Sequence, residues 1–205
     1  MPPRLAPKMP LLVVVGINGR QGTSVANAFL KTEQFRIRGL TSSPGRSASK
    51  KWVARGVEIR KETFDNADSV RENFSGAAII FATTNYDKYF EDRAAKLACS
   101  LCPNSGLLNL AMLHEIKMGR MIVSAAADTP GLGRFVLVTL PAVLPDTTFT
   151  TNRGAYQFRA QGEIVRYLTR HHDALHEKTN IVRPSLRMED CLMTLQMVSV
   201  KCRSR

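Results

Sequence analysis

Three glycines spaced three apart, Gly16, Gly19 and Gly22, follow the β-branched run Val13, Val14 and Val15. Thr23–Leu30 then reads as a helix, so the pattern is strand, Gly-rich turn, helix N-terminus. Such a junction binds phosphate. Gly16 permits the tight turn, Gly19 lets the backbone approach a pyrophosphate, and Gly22 lets the helix pack against the strand. Ile17, Asn18, Arg20 and Gln21 complete the turn. The free N–H groups at the start of the helix, with its dipole, favour the anion. The competing reading is a purely structural turn, since Gly-rich segments also join strands to helices for backbone reasons alone.

A second group decides which dinucleotide would fit. An NAD site places an Asp or Glu at the end of the second strand, about 20 residues beyond the glycines, to take the ribose diol. Residues 40–51 hold no acid. Thr41, Ser42, Ser43 and Arg46, with Lys50 nearby, offer hydroxyls and a guanidinium suited to a 2′-phosphate. NADP is therefore expected over NAD, against the alternative of an ordinary polar loop.

Other chemistry-bearing residues are weaker signals. Cys99 and Cys102 form a CxxC pair, but Cys191 and Cys202 are too distant to complete a zinc site, and no metal is expected. His171, His172 and His176 read as a solvated helix end. Asp87, Glu91 and Asp92 read as a charged helix start, and Ser124 and Thr139 have no evident base.

The elements that would position these groups alternate. Further strands are expected at 35–41, 57–60, 77–82, 134–140 and 179–183, with helices at 50–55, 67–74 and 162–170. A Ser/Gly/Pro loop covers 42–49, and a long helical stretch precedes the fifth strand. The fold class is α/β, a doubly wound parallel sheet of the Rossmann type.

Composition agrees. The 205 residues are 44% hydrophobic and 22% charged, ordinary for one globular domain. No apolar run reaches the roughly 18 residues of a membrane span. Residues 1–10, with four prolines, read as a flexible lead rather than a signal peptide, and four cysteines suit a reducing compartment, so a cytoplasmic location is expected. The net charge of +12 is spread along the chain rather than gathered in a DNA-binding motif, and nucleic acid is not expected as a partner.

From residue 11 to about residue 192 the chain resembles the NmrA-like family of atypical short-chain dehydrogenase/reductases, whose extended relatives share the G-x-x-G-x-x-G spacing. The resemblance rests on residues 16–25, 38–41, 56–59, 82–86, 134–141, 157–168 and 182–192. It implies that Thr84, Asn85 and Tyr86, after the fourth strand, line the cofactor. It also implies that Arg187, Met188, Glu189 and Asp190 touch its nicotinamide half. The implied division is a flexible 1–10, an NADP-binding domain over 11–192 and a basic tail over 193–205.

The departures bear on mechanism. Gln161 stands at the family's lysine position, where an amide keeps hydrogen bonding but loses the charge that would lower a tyrosine pKa. Tyr156 is a weak catalytic candidate, because a Tyr-x-x-x-Lys pair would need lysine where Ala160 stands. Thr63 replaces an acid near the adenine, residues 93–114 match poorly, and the substrate-side subdomain is expected to be truncated. Two functions follow from the resemblance. One is an NADP(H)-dependent oxidoreductase acting on a small carbonyl or enone of secondary metabolism. The other is a non-catalytic redox sensor with a regulatory protein partner. The Met- and Leu-rich residues 186–198 would allow an oligomer.

Overall fold

The computed structural model describes residues 9–62, 64, 66–86, 89, 104–141 and 153–184. The expectations for residues 1–8, Thr63, Asp87, Glu91, Asp92, Cys99, Cys102, Arg187 to Asp190 and the tail lie outside these.

Six strands form one sheet: β1 (Leu11–Val15), β2 (Arg36–Thr41), β3 (Glu58–Lys61), β4 (Ala77–Thr83), β5 (Arg134–Val138) and β6 (Thr179–Val182). Their order is β3-β2-β1-β4-β5-β6, and every neighbouring pair is parallel. The direction of winding reverses between β1 and β4, which opens a crevice at the carboxyl ends of the strands. The helices are α1 (Arg20–Leu30), α2 (Ser47–Val53), α3 (Ala67–Phe74), α4 (Asn104–Ala127), α5 (Arg153–His171) and the short α6 (Asp173–His176).

Strand β1 is buried along its whole length because both faces of the sheet are covered. Leu11, Val13 and Val15 join Phe74, Ile122, Ile164 and Leu168 in the core under α3, α4 and α5. Leu12 and Val14 point the other way, to Ala26, Ile37 and Trp52 under α1 and α2. The period-2 alternation of a strand thus divides one apolar run between two cores.

Close helix packing sets the right-hand half. Ile164 of α5 seats against Gly119 of α4, where a Cβ would come within 2.2 Å of Ile164 Cδ1. On the left, Arg38 of β2 is only 8% exposed. It donates to the carbonyls of Asn73 and Ser75 (both 3.0 Å) and to Glu58 Oε2 (2.9 Å), tying the end of α3 to the edge of the sheet.

Several boundaries move. Helix α5 starts nine residues before the expected Gly162, which lies inside it at a cost of roughly 1 kcal/mol relative to Ala. Helix α2 starts at Ser47, shortening the expected 42–49 loop, because Ser49 Oγ reaches back to the Ser43 carbonyl at 3.0 Å. The fifth strand leaves its ladder at Val138, two residues early, and Leu140 and Pro141 turn into a cleft wall.

Candidate functional site

The Gly-rich turn is built by contacts that exclude side chains. Gly16 has φ +71°, in the left-handed region that favours glycine. Its N–H and that of Ile17 donate to the Leu40 carbonyl at 3.0 and 3.1 Å, which fastens the turn to β2. A Cβ on Gly22 would stand 2.3 Å from the Gly16 carbonyl oxygen, and one on Gly19 3.1 Å from it. Thr23 Oγ1 locks the same turn by donating to the Ile17 carbonyl at 2.9 Å. Helix α1 then opens with Gly19 as N-cap, no side-chain cap and no acid in its first turn. Its leading N–H groups are left for an outside anion.

This turn forms one wall of a cleft of about 1080 Å³. The cleft runs across the carboxyl ends of the strands. At one end Thr41, Ser42, Ser43 and Arg46 line it, with Glu62 beyond β3; Gly16, Asn18, Gly19, Arg20, Gln21 and Gly22 form the middle. Thr83, Thr84 and Asn85 follow β4, and Leu140, Pro141, Phe158 and Pro184 make an apolar far wall. Ala48 completes the lining.

Most of the expected cofactor-binding residues among the described ones therefore meet in one cleft, but three sit elsewhere. Ile17 is fully buried, its side chain filling the space left by Gly39, where a Cβ would approach Ile17 Cδ1 to 2.4 Å. It anchors the turn from below instead of lining it. Tyr86 is 2% exposed and its hydroxyl donates to the Leu108 carbonyl at 3.3 Å, so its ring packs into the core beside α4. Gln161 is 4% exposed and is not in the cleft lining. Its Nε2 donates to Thr84 Oγ1 (2.5 Å) and Glu115 Oε1 (2.7 Å), while Thr84 Oγ1 itself donates to Glu115 Oε1 (2.7 Å). Gln161 thus bears on the cleft through Thr84, which does line it.

Glu115 escaped the sequence reading. An acid in a long helix with a mixed face gives no sign that it will be 1% exposed, and only the α4–α5 packing brings it to Gln161. Glu62, Leu140, Pro141, Phe158 and Pro184 were likewise missed; each follows a strand end or faces one, which is where the cleft opens. Tyr156 is half-buried, with the Arg159 guanidinium 6.0 Å from its ring, and does not line the cleft. The histidines at 171 and 172 pack against Tyr167, at 5.0 and 5.3 Å between ring centroids. Ser124 pairs with the Tyr167 hydroxyl at 3.0 Å, and Thr139 is buried. No group of His, Cys, Asp and Glu among the described residues could hold a metal ion. No helix among them is long and apolar enough to cross a membrane.

A parallel sheet in this order, with a Gly-rich turn at its switch point, defines a Rossmann-type protein. The chain belongs to the NmrA-like family, whose model matches residues 8–144. The NmrA-like family domain-containing oxidoreductase lnaB of Aspergillus flavus is 32% identical over 150 residues, 73% of this chain and 39% of lnaB. FrzB of a Cladobotryum species, another NmrA-like family domain-containing oxidoreductase, is 34% identical over 77 residues, 38% of this chain and 23% of its own length. The matched segments thus span well under half the length of these curated relatives. Among solved structures, the negative transcriptional regulator NmrA in complex with NADP superposes with a TM-score of 0.61 at 13% identity, over 86% of this chain and 45% of that one. The Citrobacter triphenylmethane reductase complexed with NADP(H) gives 0.54 at 15% identity, over 88% and 50%. At such identities the two structures establish the shared fold.

Proposed function

We propose that the cleft binds NADP(H) and that the chain serves an oxidoreductase reducing a small carbonyl or enone, as in a tailoring step of secondary metabolism. One observation carries the reading: an uncapped helix N-terminus opens onto the same cleft as Arg46 and the Thr41–Ser43 hydroxyls. The residues fit the coenzyme. The N–H groups following Gly19 would take the pyrophosphate, where no Cβ intrudes. Arg46, Thr41, Ser42 and Ser43 would take the 2′-phosphate, with a charge-assisted bond from the guanidinium. Two solved structures of the same fold are complexes with NADP or NADP(H), and the curated fungal relatives are named oxidoreductases.

The coenzyme, when bound, supplies a hydride. The chain's own contribution is orientation and exclusion of water. Thr84 and Asn85 would align the nicotinamide half, Thr84 being held by Gln161 and Glu115. Leu140, Pro141, Phe158 and Pro184 would dry the far end. The proton must come from a group other than a lysine-activated tyrosine, since Gln161 is neutral and buried.

That same residue favours a second reading, in which NADP is held without turnover and the loaded chain regulates a protein partner. The relative NmrA is described as a negative transcriptional regulator. Loss of reduced-nicotinamide absorbance on mixing the protein, NADPH and a panel of aldehydes, ketones and enones supports the enzyme. Saturable NADPH binding with no turnover across that panel supports the sensor.

A further inference from the structure

Asn18 belongs to the phosphate turn, yet its side chain holds the opposite wall. Its Nδ2 donates to Thr41 Oγ1 at 3.0 Å and to Ser49 Oγ at 2.9 Å, using both amide hydrogens. Thr41 closes β2 and Ser49 lies in α2. Both acceptors then grip one residue between them. Thr41 Oγ1 accepts the Ser43 N–H at 3.2 Å, and Ser49 Oγ donates to the Ser43 carbonyl at 3.0 Å. The result is a closed polar ring, Asn18–Thr41–Ser43–Ser49. It fixes the backbone of Ser43 three residues before Arg46.

We infer that Asn18 is a positioning residue for coenzyme selection: by fastening the phosphate turn to the loop after β2, it presets that loop for a 2′-phosphate. The inference rests on the NADP reading of the cleft. Physically, a loop held in place before binding loses little freedom when the phosphate arrives, whereas a released loop must be ordered by the ligand and binds it more weakly. NAD(H), lacking that phosphate, draws little from the preset loop. Selectivity, not general affinity, should therefore depend on the ring.

Ser49 separates this role from direct contact. It is fully buried, does not line the cleft, and reaches a ligand only by way of Asn18 and Ser43. Asn18→Ala and Ser49→Ala both remove atoms without adding any, so each variant should fold. The test is calorimetric titration of wild type, both variants and the double variant with NADP⁺ and NAD⁺, plus amide hydrogen exchange over residues 42–46 without ligand. Each substitution is expected to weaken NADP⁺ about fivefold or more and NAD⁺ less than about twofold, the size of one lost hydrogen bond. The double variant should be no weaker than about the worse single one, because both break the same ring. Exchange over 42–46 should rise in every variant. A wild type that prefers NADP⁺ while Ser49→Ala keeps both the preference and the slow exchange overturns the inference and leaves the coenzyme reading standing. A wild type that binds neither dinucleotide overturns the coenzyme reading, and the inference with it.

Discussion

Gly22 and Gly16 approach so closely that a Cβ on Gly22 would stand 2.3 Å from the Gly16 carbonyl oxygen and 2.9 Å from Ile17 Cα. The obstructing atoms are backbone, so no rotamer change can relieve the clash. Helix α1 owes its position at the end of β1 to the missing methyl group. Gly22→Ala must push α1 off the turn, and it is expected to weaken dinucleotide binding at least about tenfold, as one displaced set of charge-assisted N–H contacts would. Titration with NADP⁺ measures the change.

Arg46 lines the cleft beside Thr41 and Ser43. Arg46→Ala removes the cation proposed to face the 2′-phosphate and should weaken NADP⁺ about tenfold or more, with NAD⁺ changed less than about twofold. The difference should shrink as salt is raised. Parallel titrations at low and high ionic strength check both statements.

The doubly wound parallel sheet was legible because six strand-like segments alternate with helices along the chain; the order β3-β2-β1-β4-β5-β6 is set by pairings between distant segments and was not. The phosphate turn was legible for a local reason: strand, three spaced glycines and helix are contiguous in the chain. The Gln161–Thr84–Glu115 contact was not legible. Its members come from α5, the end of β4 and α4, and nothing local to any of them announces the other two. The side chains of Ile17 and Tyr86 turn away from the cleft for a related reason. Each lies in a segment that borders the cleft, but a bulky apolar side chain in such a segment gains more by turning into the core, where Gly39 leaves room for one and α4 supplies a carbonyl for the other. The earlier α2 start goes with Ser49 bonding back to Ser43, and Ser49 is also held by Asn18, 31 positions away.

Gln161 Nε2 donates to two acceptors, Thr84 Oγ1 and Glu115 Oε1. Gln161→Leu keeps much of the volume but removes both bonds in a buried setting, and should destabilise the fold by about 1–3 kcal/mol. Gln161→Lys retains donors and sets a cation against the Glu115 carboxylate, so it should recover part of that loss. Urea unfolding of the three proteins orders them: wild type most stable, Leu least.

Burial opposes ionisation of Glu58, but hydrogen bonds and charge from Arg38 and Arg60 outweigh it and hold its pKa below the ordinary 4.5. A carboxyl whose pKa is lowered by folding stabilises above its unfolded pKa and loses that contribution as pH falls through the folded value. Glu58→Gln should therefore lower stability at pH 7 by no more than about 1 kcal/mol, since the side chain is 42% exposed and screened by solvent. The gap between variant and wild type should begin to narrow near the ordinary pKa and close once the pH is below the lowered folded value. Urea midpoints at neutral pH and in acid test the sign.

If this cleft selects the phosphorylated dinucleotide, calorimetric titration of the wild-type chain with NADPH, NADP⁺, NADH and NAD⁺ reads that selection as a difference in affinity. One equivalent of NADPH or NADP⁺ should bind, at least about tenfold tighter than the unphosphorylated pair, and Gly19→Val should abolish that binding. Equal affinity for all four, or no binding of any, would contradict that selection.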